Sequence, residues 1–432
     1  MRRPKKPTQR LSVKGYVLIG LLVTVLLLCI TALFEQLPLG HRTERLAYEF
    51  LQNQLSSFDP QNRPVVVVDI SQISGGKGVP TPRPQLQALV LAIVDQKPQA
   101  IALDIDFSPN ENGWITPEDP DFFDFCLEMK RDRKVPVFLG VWRAKLENSD
   151  TWLGLEKYKE LAVILSGREG EPGRVPLWIH ANGVSDRLPG LSSALAQVKT
   201  PLSGLAPPSW MAWAIEKTAD HRPGTVRKFQ DFELADTLVN HSKLEALQNE
   251  ALVTVSPQSV GEAGWAHRFE NKLVILGDAT SFGDDGYTVP GRDKPVAGVF
   301  MHACAVYTFI KEPLYELKPG MRWILDGMLS VIIILLVAWI RYRNPTKDEY
   351  SWHKLQSRFI DGAILVIICG GIVLVRVTGI MWLDFILAGF ALLLHPTAEG
   401  LFTRLRKRRR GSRRSSKLVT TEAEPIVGAQ EV

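Results

Sequence analysis

Four apolar stretches set the layout of this chain. They cover residues 15–34, 323–340, 360–377 and 380–395, and each approaches the roughly 20 residues that a helix needs to cross a bilayer. The intervening stretch, residues 35–322, mixes polar and apolar positions as a domain that folds in water does. The pattern predicts four membrane-spanning helices, one before and three after a large extramembrane domain.

Basic residues indicate which ends of the apolar stretches face the cytoplasm. Residues 1–14 contain six basic residues and no acidic one, while residues 341–359 and 396–432 are also rich in lysine and arginine. Because positively charged flanks stay inside, these segments are predicted to be cytoplasmic, the last as a basic, disordered tail. An even number of crossings separates these three segments from one another, which keeps them on one side, and the single span at 15–34 then places residues 35–322 outside. We expect an uncleaved N-terminal anchor in the bacterial inner membrane, with the large domain in the periplasm or outside the cell.

The net charge of the chain reflects this topology rather than a soluble binding partner. The chain has 51 basic and 46 acidic residues, yet acidic residues outnumber basic ones in the predicted outer domain. The most basic run, RLRKRRRGSRR in the tail, lies next to a predicted span, where such runs set orientation and contact anionic lipid. We therefore expect the membrane, and no nucleic acid, as the partner of the basic segments.

Strand-like and helix-like patterns alternate through the predicted outer domain. Continuous apolar runs rich in β-branched residues indicate strands that are covered on both faces, and helical spacing separates them. The predicted strands are 64–70, 99–107, 135–142 and 271–279, and the predicted helices between and after them are 82–96, 118–132 and 297–311. This order is typical of an α/β domain with a mainly parallel, doubly wound sheet. Elsewhere the sequence predicts a strand at 175–181 and helices at 41–58, 209–217 and 233–249.

Carboxylates are predicted to cluster where the parallel strands end. The candidate residues at or near this edge are Asp69, Arg83, Asp104, Asp106, Asp278 and Asp284. In open parallel sheets ligands bind beyond the carboxyl ends of the strands, so this rim is suited to a cation, a polyamine or another cationic ligand, and no resident cofactor or metal is expected. The alternative is structural: the aspartates cap helices and fix loops, and Arg83 neutralises them.

A second interpretation of the same residues is enzymatic. The segments IALDIDFS and ILGDATSFGDD resemble the acidic motifs of haloacid-dehalogenase-type phosphatases. In that chemistry Asp104 is the nucleophile, Asp106 is the general acid, and Asp278 with Asp284 holds Mg²⁺. The strand at 64–70 argues against this interpretation, because it precedes the strand that would carry the nucleophile.

Three longer segments together resemble a known sensory module. They are RPVVVVDIS, TPRPQLQALVLAIVDQKPQAIALDIDFS and NKLVILGDATSFGDDGYTVPGRDKPVAGVFMHACAVYTFI. They include a helix start with adjacent Pro and Arg, a strand end at 102–104, a Leu-Gly-Asp loop and the motif 298–302 before the last helix. Their order and spacing, with three spans following, resemble the type-2 CHASE domain, an extracellular sensory domain of bacterial transmembrane receptors. The resemblance covers residues 41–320 except the middle third, and it implies a function in sensing.

Relatives of that family usually carry a fused kinase or cyclase, whereas only residues 396–432 follow the fourth predicted span. We therefore expect a membrane-anchored sensor that is not itself an enzyme. Its outer domain binds a small ligand or a protein partner, and its spans signal to an output protein in trans, a membrane or cytoplasmic signalling partner. The sequence is also compatible with a homodimer. A third interpretation is a membrane scaffold that recruits partners without sensing.

Overall fold

The structure is a computed structural model. It describes residues 18, 21–22, 25, 50–52, 64–73, 79–110, 113–142, 151–165, 173–181, 187–200, 209–218, 224–229, 232–254, 268–280, 286–287, 289, 294–343 and 349–382. Most of the predicted first span and of the predicted helix at 41–58, most of the predicted fourth span, the tail and Asp284 lie outside these residues. The chain divides into two compact units, of which the larger holds Arg45–Pro319 and Ile372–Trp382.

A six-stranded, all-parallel sheet forms the centre of the larger unit. Numbered in chain order, its strands are β1 (Val65–Asp69), β2 (Ala100–Asp104), β3 (Val137–Val141), β4 (Ala162–Ile164), β9 (Leu252–Thr254) and β10 (Leu273–Gly277). Their order in space is β4-β3-β2-β10-β1-β9, so β10 lies between the first two strands of the chain. The four predicted strands of the parallel sheet are confirmed, and the short strands β4 and β9 extend it at its two edges.

Helices cover both faces of this sheet, as predicted for a doubly wound domain. On one face lie α1 (Arg83–Val94) and α2 (Asp119–Arg133), and on the other lie α3 (Leu191–Lys199), α4 (Leu244–Glu250) and α5 (Gly298–Lys311). Alternate residues of a strand point to opposite faces, so Val66 packs towards α1 and α2 while Val67 packs towards α5. Both faces are apolar, which is why the strand sequences show no polar alternation.

The middle region forms a second, antiparallel sheet that the sequence did not reveal. Its strands are β5 (Arg174–Ala181), β6 (Leu188–Pro189), β7 (Thr225–Lys228) and β8 (Phe232–Leu238), in the order β6-β5-β8-β7. The predicted strand at 175–181 is confirmed as β5. The predicted helix at 233–249 is wrong over its first half, because β8 occupies it and only α4 is helical. The predicted helix at 209–217 is replaced by turns over residues 209–214.

The remaining elements are short strands and two long helices. They are β11 (Gly286–Tyr287), β12 (Val296–Ala297), β13 (Tyr315–Glu316), β14 (Ile380–Met381), α6 (Pro319–Arg343) and α7 (Glu349–Thr378), with 3₁₀ turns at Trp152–Gly154, Glu156–Leu161 and His241–Lys243. Among the described residues only Pro319–Ile340, within α6, is a helix long and apolar enough to cross a membrane. α7 covers the predicted third span with a shorter apolar stretch, Leu365–Thr378. The first two residues of the predicted fourth span form β14.

Candidate functional site

Three strands of the parallel sheet end in register at its carboxyl edge. Asp69 of β1, Gly277 of β10 and Asp104 of β2 are aligned across the sheet. They point to the face covered by α5, because Ala102, two residues before Asp104 in β2, packs on that side. A Cβ at Gly277 would lie 2.9 Å from Cγ2 of Val299 and 3.1 Å from Cβ of Asp104. Glycine at this position therefore lets the first turn of α5 approach the sheet edge.

One helix brings a histidine close to Asp104, and a second helix brings a serine to that histidine. His302 Nε2, from α5, lies 3.8 Å from Asp104 Oδ1, and Ser192 Oγ, from α3, lies 2.9 Å from His302 Nδ1. Ser192 and His302 are buried, and the side chain of Asp104 is only 14% exposed. Burial raises the pKa of Asp104 from its usual 3.8 to about 7, because the charged carboxylate is poorly solvated there. This buried cluster thus contains a carboxyl group that changes charge near neutral pH.

Serine, histidine and aspartate also form the hydrolytic triad, but the geometry here differs from it. The 3.8 Å separation of His302 and Asp104 is too long for a hydrogen bond. Ser192 Oγ also lies 3.3 Å from the carbonyl oxygen of His302, to which it can donate, and the residue is only 1% exposed. The cluster is therefore suited to taking up or releasing a proton inside the domain rather than to attacking a substrate.

The other candidate carboxylates hold local turns. Asp69, Asp106 and Asp278 each accept a hydrogen bond from the backbone N–H two residues further along, at 3.0, 2.8 and 2.7 Å respectively. Asp69 accepts another from the N–H of Ala279 at 3.2 Å, which ties the end of β1 to the loop after β10. Such aspartate turns are common where strands end. Asp284 lies outside the described residues.

Arg83 has a different partner from the one predicted. Its Nε donates to Asp119 Oδ1 at 2.6 Å, with both side chains buried, and its guanidinium lies 4.4 Å from the centroid of the Phe107 ring. Its Nη1 donates to the carbonyl oxygen of Thr81 at 3.0 Å, and its buried Nη2 has no hydrogen-bond partner. The alternative interpretation, in which Arg83 neutralises the strand-end carboxylates, gains no support, because Arg83 packs with the α1–α2 layer and pairs with Asp119 while Asp104 faces α5.

Sequence reasoning missed three residues of these arrangements. His302 lies in the motif that carries the family resemblance, which is a usable signal, although the sequence does not reveal its partners. The sequence gave no signal for the other two. Ser192 lies 110 residues from its partner His302, and Asp119 lies 36 residues from its partner Arg83. Contacts of this kind depend on the packing of separate elements.

The phosphatase interpretation gains no support from this geometry. It requires carboxylates gathered around one metal ion, whereas Asp278 Oδ1 accepts the N–H of Thr280 in its own turn. Within the parts of the chain that the structure describes, no group of three or more His, Cys, Asp or Glu residues could hold a metal ion. Asp284, one of the two predicted Mg²⁺ ligands, lies outside those parts.

Comparison with known proteins gives one match. The family model of the CHASE2 domain matches residues 23–341. No curated protein and no solved structure matches the chain. The family match extends from the predicted first span to the end of α6, and the resemblance found in the sequence motifs is confirmed.

Replacement of Asp104 by asparagine should change how stability depends on pH. A carboxyl group with a raised pKa binds its proton more tightly in the folded chain, so its stabilising contribution is full below about pH 4 and is lost as pH rises to about 7. The variant lacks this pH-dependent loss. At about 1.4 kcal/mol per pKa unit, the unfolding free energy of Asp104→Asn minus that of the wild type should therefore rise by up to about 4 kcal/mol between pH 4 and pH 8. Thermal unfolding of the full-length protein from pH 4 to 8 measures this.

The control for that experiment is Ser192→Ala, which keeps the carboxyl group and should keep the wild-type pH dependence. Parallel stability curves for the wild type and Asp104→Asn would contradict the assignment.

Replacement of Arg83 by methionine should destabilise the domain strongly. The change leaves Asp119 buried without its charged partner, a loss that costs about 3–5 kcal/mol in buried ion pairs. The midpoint of thermal unfolding, followed by near-ultraviolet circular dichroism of the full-length protein, should fall accordingly. The control is Arg131→Met, whose ion pair with Asp132 is exposed and contributes little. Equal shifts in the two variants would refute the importance of the buried pair.

Proposed function

Because the chain belongs to the CHASE2 domain family, a family of extracellular sensory domains, we propose that it is a membrane-anchored sensor. Its outer domain binds a small ligand or a protein partner at the carboxyl edge of the parallel sheet, where Asp69 and Asp104 lie. Its membrane helices transmit the bound state to an output protein in trans. The proposed location is the bacterial inner membrane, with several spans and the domain in the periplasm or outside the cell. A strand pairing next to the membrane helices supports this proposal most directly.

Helix α6 supports a membrane anchor directly after the sensory domain. Its Pro319–Ile340 segment has the length and apolar composition of a span. Large apolar side chains along it are exposed, namely Trp323, Ile324, Met328, Ile332, Leu335, Leu336 and Trp339. Such a surface is unfavourable in water but matches the hydrocarbon core of a bilayer.

A parallel strand pairing joins the residues before α6 to the residues after α7. Strand β13 pairs with β14, and the backbone N–H of Tyr315 donates to the carbonyl oxygen of Gly379 at 2.8 Å. Gly379 has a φ of 70°, and a Cβ there would collide with the carbonyl oxygen of Pro313. Glycine suits both the left-handed backbone and the close approach. The pairing keeps the end of α7 beside the sensory domain, which is what the proposed topology requires of the third span.

Glu316 holds β13 on the antiparallel sheet. Arg174 Nη1, from β5, donates to Glu316 Oε2 at 3.0 Å and to Asp236 Oδ1 at 2.9 Å, while Arg174 Nη2 contacts Glu316 Oε1. Thr225 Oγ1, from β7, donates to Glu316 Oε2 at 3.2 Å. The side chains of Glu316 and Asp236 are only 7% and 5% exposed. Separating these groups would leave buried charges without partners, which is costly.

These contacts form a continuous route from the sensory domain towards the membrane. The antiparallel sheet holds β13, α6 begins shortly after β13, and β14 directly follows α7. A shift of the sheet relative to the rest of the domain would therefore act on two membrane-directed helices at once. For useful signalling, a ligand must favour one arrangement over the other by several kcal/mol.

A disulfide should form between Tyr315→Cys and Ile380→Cys in the membrane-embedded protein. These residues are register partners in adjacent strands, which lie about 4.8 Å apart, within disulfide range. A Cys369→Ser background removes the exposed native thiol, and mass spectrometry of proteolytic fragments identifies the link. Tyr315→Cys combined with Glu156→Cys, an exposed position far along the chain, is the control and should stay reduced. Failure of the first pair to link under oxidation would rule out the β13–β14 pairing.

A photo-crosslinker at Lys354, in the predicted cytoplasmic loop, should capture an output protein in native membranes. Capture should change in Gly379→Ala, because the added methyl group disrupts the β13–β14 pairing. Gly370→Ala is the matched control, since a Cβ there meets nothing within 4 Å, and it should leave the yield unchanged. Yields are normalised to the amount of protein in the membrane.

The outcomes of this experiment separate the two membrane functions. A partner captured equally in the wild type, Gly379→Ala and Gly370→Ala would favour a scaffold over a sensor. The absence of any specific partner would contradict signalling in trans.

A further inference from the structure

The turn at residues 209–214 exposes two tryptophans. Trp210 and Trp213 are 67% and 64% exposed, more than any other large apolar side chain described between residues 64 and 318. Trp213 Nε1 donates to the carbonyl oxygen of Trp210 at 2.7 Å. The N–H of Ala214 donates to the carbonyl oxygen of Met211 at 2.9 Å, and both of these residues are buried. A hydrogen-bonded turn with an anchored base therefore presents two indole rings outward.

Backbone hydrogen bonds attach this turn to the residues that lead into α6. The N–H of Glu216 donates to the carbonyl oxygen of Glu316 at 2.8 Å. The N–H of Lys318 donates to the carbonyl oxygen of Ala214 at 3.0 Å. Helix α6 begins at the next residue, Pro319. The two tryptophans are thus fixed beside the point where the chain enters the proposed span.

The chemistry of this region matches the boundary between lipid headgroups and acyl chains. Indole combines a large apolar ring with one polar N–H, and tryptophan is enriched at both membrane surfaces. Residues 209–214 carry no charge. Trp323 lies in the first turns of α6 and is exposed, and the exposed Lys318, just before α6, is a cation of the kind that anionic lipid headgroups attract. Trp382 directly follows β14, which pairs with β13.

We infer that the turn at 209–214 anchors the sensory domain on the bilayer, with Trp210 and Trp213 inserted at the headgroup boundary of the outer leaflet. The inference rests on the proposed span in α6. Lipid is favoured over a protein partner because hydrogen bonds hold the turn against the residues that lead directly into the proposed span. Such an anchor fixes the depth of the segment that carries β13, so that movements of the domain act on the helices rather than lift the domain from the surface.

Spin labels on the full-length protein in phosphatidylcholine vesicles test this inference. Labels at Trp213→Cys and at Ser209→Cys, which keeps both tryptophans, report the turn in a background where Cys29 and Cys369 are serine. Ile332→Cys, exposed on α6, is the lipid reference, and Glu156→Cys, with a side chain 86% exposed, is the water reference. The measurement is relaxation of the label by oxygen, which concentrates in lipid, and by a nickel chelate, which stays in water.

The expected result is stronger relaxation by oxygen than by nickel at residues 209, 213 and 332, and the reverse at residue 156. Stronger relaxation by nickel at 209 and 213, with residue 332 in lipid, would overturn the anchor and leave the proposed sensor intact. Weak relaxation by both reagents at the turn would overturn it in favour of a protein partner or a second copy of the chain. A water-like result at residue 332 would refute the span and the anchor together.

Discussion

The buried carboxylate of Glu316 fixes the relation between the sensory domain and the chain that leaves it. With 7% of its side chain exposed, this group pairs with Arg174 and accepts a hydrogen bond from Thr225, which offsets the cost of burying a charge. Strand β13 therefore stays on the antiparallel sheet unless another interaction replaces the pair. Packed, ion-paired contacts of this kind change between discrete arrangements rather than deform gradually. That property suits the proposed transmission of the domain's state to the membrane helices.

The centre of the fold could be predicted because burial on two faces leaves little ambiguity. Strand β1, VVVVD, is buried along its whole length, and such a run is typical of a parallel strand between two helical layers. Strand β8 could not be predicted in this way. Phe232, Leu234, Ala235 and Leu238 fit helical spacing as well as a buried strand. Pairing with β5 and β7 decides the matter, and most of that pairing is non-local.

The candidate site was predictable only as far as strand ends determine position. The runs before Asp69 and Asp104 place both at one edge of the sheet, and the structure aligns them on either side of Gly277. The sequence does not show that the sheet separates Arg83 from Asp104, because this depends on which layer each helix joins. His302 approaches Asp104 from α5, and Ser192 reaches His302 through the packing of α5 against α3, which no local pattern records.

The position of β10 has a consequence for how the chain becomes a domain. This strand lies between β1 and β2 although both precede it in the sequence. Until Leu273–Gly277 arrives, β1 and β2 lack their common neighbour, and their backbone groups and apolar faces stay open to other contacts. Sheets closed by such distant segments form slowly. A nascent chain therefore completes its core only after most of the domain has been synthesised. A chain that stops before β10 would expose unpaired strand edges, which favour aggregation.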